Sequence, residues 1–322
     1  MSQYLDSKSL FQQPRVDQYN GHMVMTNVSK PSRFIYLNID TAFCDDYSNN
    51  YSSSGCDAQK AQYTITLPER IHNVKCISIL NAEIPMSFYN ISESIGNNAF
   101  QYSVVGGSTY NVVIPDGSYT SASLVSEIND ILSTHLLNSH YYLRCSLSGT
   151  KCVFDIIGTG GGPMAVSINF TIDSTGSVDN YLLKNKLGWM LGFHNTVYSI
   201  GSLGSSVTSE GVVFVSKPKY IYIAVDEFSK NSATSFHTAL PKYQINKNIL
   251  AKITLNPSVF GTFGTIIPAN ILNGLLVSDQ RTYGAGGKTD IQRLMVQLLD
   301  DKGNVMVLNG CDFSFCLQIE LE

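Results

Sequence analysis

The chain has 322 residues, a formal net charge of −4, and 14% charged against 43% hydrophobic residues, where an ordinary soluble domain carries about 25% charge. That composition excludes disorder over most of the length, and an acidic balance without a Lys/Arg cluster excludes bare nucleic acid as the main partner. Low charge beside 25 Gly, 18 Tyr and long Ser, Thr and Asn tracts fits a surface covered by neighbours, because an isolated protein leans on charge for solubility.

Residues 1–32 lack periodicity and read as an extended N-terminal arm, with Tyr4, Leu10, Phe11 and Arg15 as its candidate anchors on a neighbour; plain disorder is the equal alternative. The first residues, Met1 to Arg15, are polar, and no apolar run approaches the ~18 residues needed to cross a bilayer. Neither a leader nor a membrane span is therefore expected, and the chain is expected to stay in the cytosol.

Residues 33–322 read as a single domain with insertions. Period-two alternation starts with Ile35, Leu37 and Ile39 and continues through Tyr63, Ile65 and Leu67, then Phe100, Tyr102 and Val104, then Tyr110, Val112 and Ile114. An amphipathic helix follows from about Ser123 to Leu137, with Leu124, Val125, Ile128, Ile131, Leu132 and Leu136 on one stripe behind the hydroxyl cap Thr120, Ser121 and Ser123. Further strands are expected at Tyr141 to Leu147, Lys151 to Ile157, Ala165 to Ile172, Tyr220 to Phe228, Ile249 to Asn256, Ile271 to Ser278 and Ile291 to Asp300. A short helical patch from Asp179 to Leu187 leads into the segment holding the sole Trp, Trp189. The last strand is the clearest, with Phe313, Phe315, Leu317, Ile319 and Leu321 on one face. The turn from Asp300 to Asn304 before it predicts a C-terminal hairpin. Turn signals at Gly106-Gly107-Ser108 and Ser148-Gly149-Thr150, with no internal repeat, make the protein all-β and antiparallel.

Motifs for chemistry fail on context. The run Gly158 to Pro163 precedes a strand pattern rather than the helix a phosphate loop needs. Gly286-Gly287-Lys288-Thr289 lacks the earlier glycine of a nucleotide-binding loop, since Thr282 stands there. His22, His72, His135, His140, His194 and His237 have no ligand spacing, and Asp45, Asp46 and Asp57 match no calcium loop. Gly106-Gly107-Ser108-Thr109-Tyr110 is no nucleophile elbow. Sequons at Asn27, Asn50, Asn90 and Asn169 read as chance matches in an Asn/Ser-rich chain. No catalytic, cofactor or metal residue is assigned, and an enzyme is not expected. Seven scattered cysteines read as reduced, mostly buried thiols; Cys44 with Cys56, and Cys145 with Cys152 across a hairpin, are the pairs that could bridge if oxidised. Trp189 and Phe193, with Met190, read as core or as an interface anchor, since large aromatics serve both.

Several segments in order carry a resemblance: Arg33 to Asp40 (RFIYLNID); Tyr63 to Pro85 (YTITLPERIHNVKCISILNAEIP); Ile114 to Tyr119 (IPDGSY); Leu187 to Phe193 (LGWMLGF); and Ile291 to Glu322. Together they resemble minor capsid proteins of nucleocytoplasmic large DNA viruses, the giant viruses. The resemblance implies an antiparallel jelly-roll β-sandwich, here with one covering helix and long loop insertions. It also implies a structural role in the virion, assembled in the host cytoplasm, as the pentameric vertex (penton) or another minor capsid protein. Its implied partners are further copies of itself as a homo-pentamer, the major capsid protein and other minor capsid proteins. A lectin-like module binding a host glycan or receptor is the alternative.

Overall fold

Most of the long strands form where the alternation places them, and their pairing decides the architecture. The computed structural model describes residues 32–45, 60–135, 141–158, 165–178, 183–215, 218–229, 232–233, 236–239, 244–245, 248–255, 263–283 and 288–321. In chain order the strands are β1 (Arg33–Asp40), β2 (Gln62–Pro85), β3 (Ala99–Val104), β4 (Thr109–Val113), β5 (Tyr141–Ser148), β6 (Lys151–Gly158), β7 (Val166–Asn169), β8 (Val197–Ile200), β9 (Ser206–Thr208), β10 (Tyr220–Asp226), β11 (Ser232–Ala233), β12 (Thr238–Ala239), β13 (Gln244–Ile245), β14 (Ile249–Thr254), β15 (Ile266–Asn270), β16 (Leu276–Ser278), β17 (Arg281–Tyr283), β18 (Thr289–Leu299) and β19 (Ser314–Leu321). The helices are α1 (Ser121–Thr134) and the four-residue α2 (Leu187–Met190). Every strand ladder described is antiparallel.

The chain divides into two units: Met1–Ser87 with Lys219–Glu322, and Phe88–Pro218 inserted between β2 and β10. One domain with insertions was expected over residues 33–322; the structure gives the insertion its own sheets and core.

In the first unit the long β2 belongs to both halves of a curled sheet. Residues 62–74 pair with β18, and residues 74–83 pair with β19. The changeover falls at Asn73, whose φ of 58° bends the strand and whose backbone N–H donates to Asp290 Oδ1. One half then runs β1, β19, second half of β2, β15 and β17; the other runs first half of β2, β18, β10, β14, β16. With β15 and β17 counted together as the sixth segment, and β16 set aside as an additional strand beside β14, the halves read 1-8-3-6 and 2-7-4-5 in chain order, which is the strand order of a jelly roll. Phe315, Leu317 and Ile319 of β19, Leu294, Val296 and Leu298 of β18, and Ile221, Ile223 and Val225 of β10 are buried. Each such side chain contributes roughly 1.5–3 kcal/mol relative to exposure.

Three sequence expectations change here. The C-terminal hairpin does not form, because β2 lies between β18 and β19; the turn at Asp300 closes only a local bridge between Leu299 and Val305. The strand expected at Ile271 to Ser278 begins at Leu276. Asn270 and Asn273 accept each other's backbone N–H and hold residues 271–274 as a turn, with Gly274 at φ 71°. The preceding β15, Ile266–Asn270, has no sequence alternation to announce it. The strand from Tyr220 stops at Asp226, whose carboxylate accepts the N–H of Phe228, held at φ 57°.

The inserted unit has two sheets, β4-β3-β7-β8 and β5-β6-β9. Phe100, Phe154, Phe170 and Phe193 from both sheets and the α2 segment meet with ring centroids 5.3–6.4 Å apart. Helix α1 starts in a capping box between Thr120 and Ser123 and buries Leu124, Val125, Ile128 and Leu132. It is pinned to β5 by Asn129, which donates to the Cys145 carbonyl and accepts from the Cys145 N–H. The expected helical patch from Asp179 contains a 3-10 turn at Leu183–Asn185 and α2; residues 179–182 lie outside the described residues.

Candidate interaction surfaces

In the first unit, exposed apolar side chains gather at sheet edges. Strand β1 is the terminal strand of its sheet, and among the described residues it pairs only with β19. Its inner side chains Ile35, Leu37 and Ile39 face the core side, leaving Phe34 and Tyr36, 46% and 64% exposed, on the opposite face. The following turn continues this stripe. Asp40 accepts the Ala42 N–H, and Thr41 is buried through its bonds to Phe313, which leaves Phe43 83% exposed. Across the unit, the asparagine-held turn after β15 carries Ile271 and Leu272, the latter 99% exposed, and Ile266 is exposed at the other end of that strand. An extended edge with unpaired backbone and apolar side chains is a surface for association.

Other aromatic and charged groups of this unit have partners within it. Tyr222, Ala224, Ile249 and Leu299 form a small cluster with Tyr220, Phe236 and Val305 against it. Lys252 lies over the Tyr220 ring at 4.4 Å and Arg293 over Phe228 at 5.7 Å. Beneath the sheet, Arg281 of β17 is 1% exposed and donates to Glu227 Oε2 at 2.6 Å, to the Val225 carbonyl and to the Asn248 carbonyl. Tyr283 is buried beside this pair; desolvation, and after it the charge of Glu227, pushes its hydroxyl pKa far up against the opposing effect of Arg281. Nothing in the local sequence announces the pair, because its members lie 54 residues apart.

In the inserted unit the structure separates the two expected aromatic anchors. Phe193 is fully buried among Phe154, Phe170 and Tyr198, so its ring has no surface to offer a partner, and it serves the core. Trp189 is half-buried; its ring lies 4.2 Å from that of His194, with Lys184 Nζ at 5.7 Å. Glu210 fixes this corner by accepting from the Tyr198 hydroxyl, Asn195 Nδ2 and the His194 N–H. Phe214 and Val212 on the adjoining segment are 60% and 55% exposed. Tyr4, Phe11 and Arg15 lie outside the described residues, as do Asp46, Cys56, Asp57, His140, Gly286 and Gly287.

For chemistry, no group of three or more His, Cys, Asp or Glu that could hold a metal ion occurs among the described residues. His72 pairs instead with Asp290 at 2.8 Å on an exposed rim, and that hydrogen bond holds the Asp290 carboxyl below its ordinary pKa. The Cys76 thiol donates to Glu320, and burial with that bond pushes its pKa up to about 12, which makes it a poor nucleophile. No helix among the described residues is long and apolar enough to cross a membrane.

A family model described as a family of unknown function (DUF5901) matches residues 58–145, from the approach to β2 into β5. No curated protein matches the chain in sequence. Among solved structures, a chain of the Sputnik virophage is similar at 13% identity and a TM-score of 0.38, covering 90% of this chain and 98% of that one. The chain is likewise similar to the mavirus penton protein at 10% identity and a TM-score of 0.44, over 90% of its own length and 99% of that protein's. At such TM-scores neither likeness by itself assigns a role.

Proposed function

We propose that this protein is a structural subunit in the capsid shell of a large icosahedral double-stranded DNA virus, placed at the pentameric vertex or at another minor position. The observation that carries the reading is the 1-8-3-6 and 2-7-4-5 strand order of the first unit, an architecture used by viral capsid and lectin domains alike. The order of the five resembling segments along the chain supports the capsid branch. So does the character of the exposed stripes: Phe34, Tyr36, Phe43 and Leu272 are apolar and lie along edges, which suits protein neighbours better than a polar sugar cleft.

A ring of identical subunits needs one patch meeting a different patch on the next copy, and the two exposed edges of the first unit supply two such patches. In this reading the partners are further copies of the chain, the major capsid protein and other minor capsid proteins, with the arm anchoring through Tyr4, Phe11 and Arg15 and Trp189 at a further contact. The product is a virion component assembled in the host cytoplasm. Light scattering of the purified chain over a range of salt and protein concentrations, with imaging of any ring, tests the vertex position. Five times the chain mass with a closed ring is expected there. A monomer that also fails to enter particles when mixed with the major capsid protein overturns the capsid reading. Normal incorporation after deletion of residues 1–32 overturns the role of the arm alone.

A further inference from the structure

We infer that Cys145 and Cys152 are a covalent modification site, joined as an intramolecular disulfide when the folded protein meets a peroxide. The two residues face each other across the β5–β6 hairpin, which turns at Gly149, φ 62°, and Thr150. Cys145 is opposite Phe154 and Cys152 is opposite Leu147, so the cysteines are diagonal neighbours on the buried face. Their sulfurs are 3.3 Å apart, with the residues 1% and 0% exposed. A disulfide needs about 2.05 Å, so side-chain rotation has ~1.3 Å to close.

The surroundings hold both cysteines in place. Asn129 of α1 bonds both backbone groups of Cys145. Ser209 does the same for Cys152: its hydroxyl accepts the Cys152 N–H, and its own N–H donates to the Cys152 carbonyl. These bonds fix the backbone of each cysteine, and the β5–β6 ladder holds the two strands together. Cys76, by contrast, is tied to Glu320.

The chemistry balances with hydrogen peroxide alone. One thiol loses its proton, and the thiolate attacks a peroxide oxygen, breaking the O–O bond. This leaves a sulfenic acid and hydroxide, which takes up the proton as water. The second sulfur then attacks the sulfenic sulfur, forming the S–S bond; the departing hydroxide and the second thiol proton make another water. Two thiols are oxidised and one peroxide is reduced to two waters. A peroxide is small enough to reach a site closed to bulky disulfides. The hydrogen bond to Cys152, and then burial, keep the Cys145 thiol well above its usual pKa, so thiolate is scarce at neutrality and the oxidation speeds up as pH rises.

The consequence is a lock on the inserted unit. The protein carries the pair as thiols when reduced, and exposure to oxidant adds a covalent rung to the sheet on which α1 rests. The test is done on the full chain: treatment with hydrogen peroxide, acid quench, alkylation, trypsin digestion and mass spectrometry. Trypsin cuts after Arg144 and Lys151, so the two cysteines fall in separate peptides that stay together only through a disulfide. The expected result is a linked peptide pair, about two hydrogens lighter than the sum, released by reductant and formed faster at pH 9 than at pH 7. A rise in melting temperature of a few degrees that reductant reverses is also expected. Separate peptides with both cysteines alkylated, or with either carried on to sulfinic acid, overturn the proposal. Cys152→Ala should convert Cys145 oxidation from a linked to an over-oxidised product; if that variant does not fold, peptide mapping of the unmodified sequence decides alone.

Discussion

Replacing Arg281 by methionine removes a guanidinium that is 1% exposed while leaving Glu227 buried, its side chain 2% exposed. The arginine donates to Glu227 Oε2 at 2.6 Å and to the Val225 and Asn248 carbonyls at 2.5 Å. Breaking one member of such a pair costs about 3–5 kcal/mol, because the remaining charge is buried without compensation. The two freed carbonyls keep the cost toward the upper end, since each loses a charged donor. Replacing both members, as Arg281→Met with Glu227→Leu, removes the buried charge as well, and such double replacements are often neutral or stabilising. Urea unfolding followed by circular dichroism of the wild type, both single variants and the double variant gives the coupling directly. The single Arg281→Met variant should lose about 3–5 kcal/mol, and the double variant should recover the share due to the unpaired Glu227 while keeping the cost of the two freed carbonyls. A single variant within about 1 kcal/mol of wild type, the range of an exposed pair, would refute the reasoning.

Gly188→Ala should destabilise the inserted unit by roughly 1–3 kcal/mol. A Cβ there collides with Cγ of Phe170 and falls 2.7 Å from its Cδ2 and 2.8 Å from its Cβ in the aromatic core, and the neighbouring Trp189, the sole tryptophan, provides a fluorescence readout of the transition. The fragment 88–218, which encloses its own cluster of buried residues, should fold when expressed alone, with cooperative thermal unfolding seen by the same Trp189 fluorescence; a non-cooperative transition refutes its autonomy. Glu320 is held below its ordinary carboxyl pKa of 4.5 by bonds from Ser32, Cys76 and Lys75. Its stabilisation is therefore complete above that ordinary value and is lost as pH falls through the lowered one. Glu320→Gln should flatten the acid limb of a stability profile below pH 4.5 and leave the slope near neutrality unchanged.

How much was legible follows the range of each interaction. Alternation in residues 33–40 and 313–321 marked the edge strand and its partner, since side-chain period 2 is a local property. The cap at Thr120 and the stripe from Leu124 to Leu132 marked α1 for the same reason. Residues 271–278 misled because an apolar alternation was overridden by two asparagines that bond each other's backbone. Trp189 and Phe193 could not be told apart by type: both are large aromatics four residues apart, and only the packing of Phe170 and Tyr198 around one of them separates core from surface. The Arg281–Glu227 pair left no local trace.

Antiparallel strands with one amphipathic helix are written in the sequence, because period, turn residues and caps act over a few residues. Long-range packing sets the rest: β2 serves both halves of a jelly roll and bends at Asn73, β2 separates β18 from β19, and residues 88–218 hold a core of their own. Strand partners are chosen by burial and backbone pairing across hundreds of residues. Arg33 meets Leu321 through contacts that no local window contains.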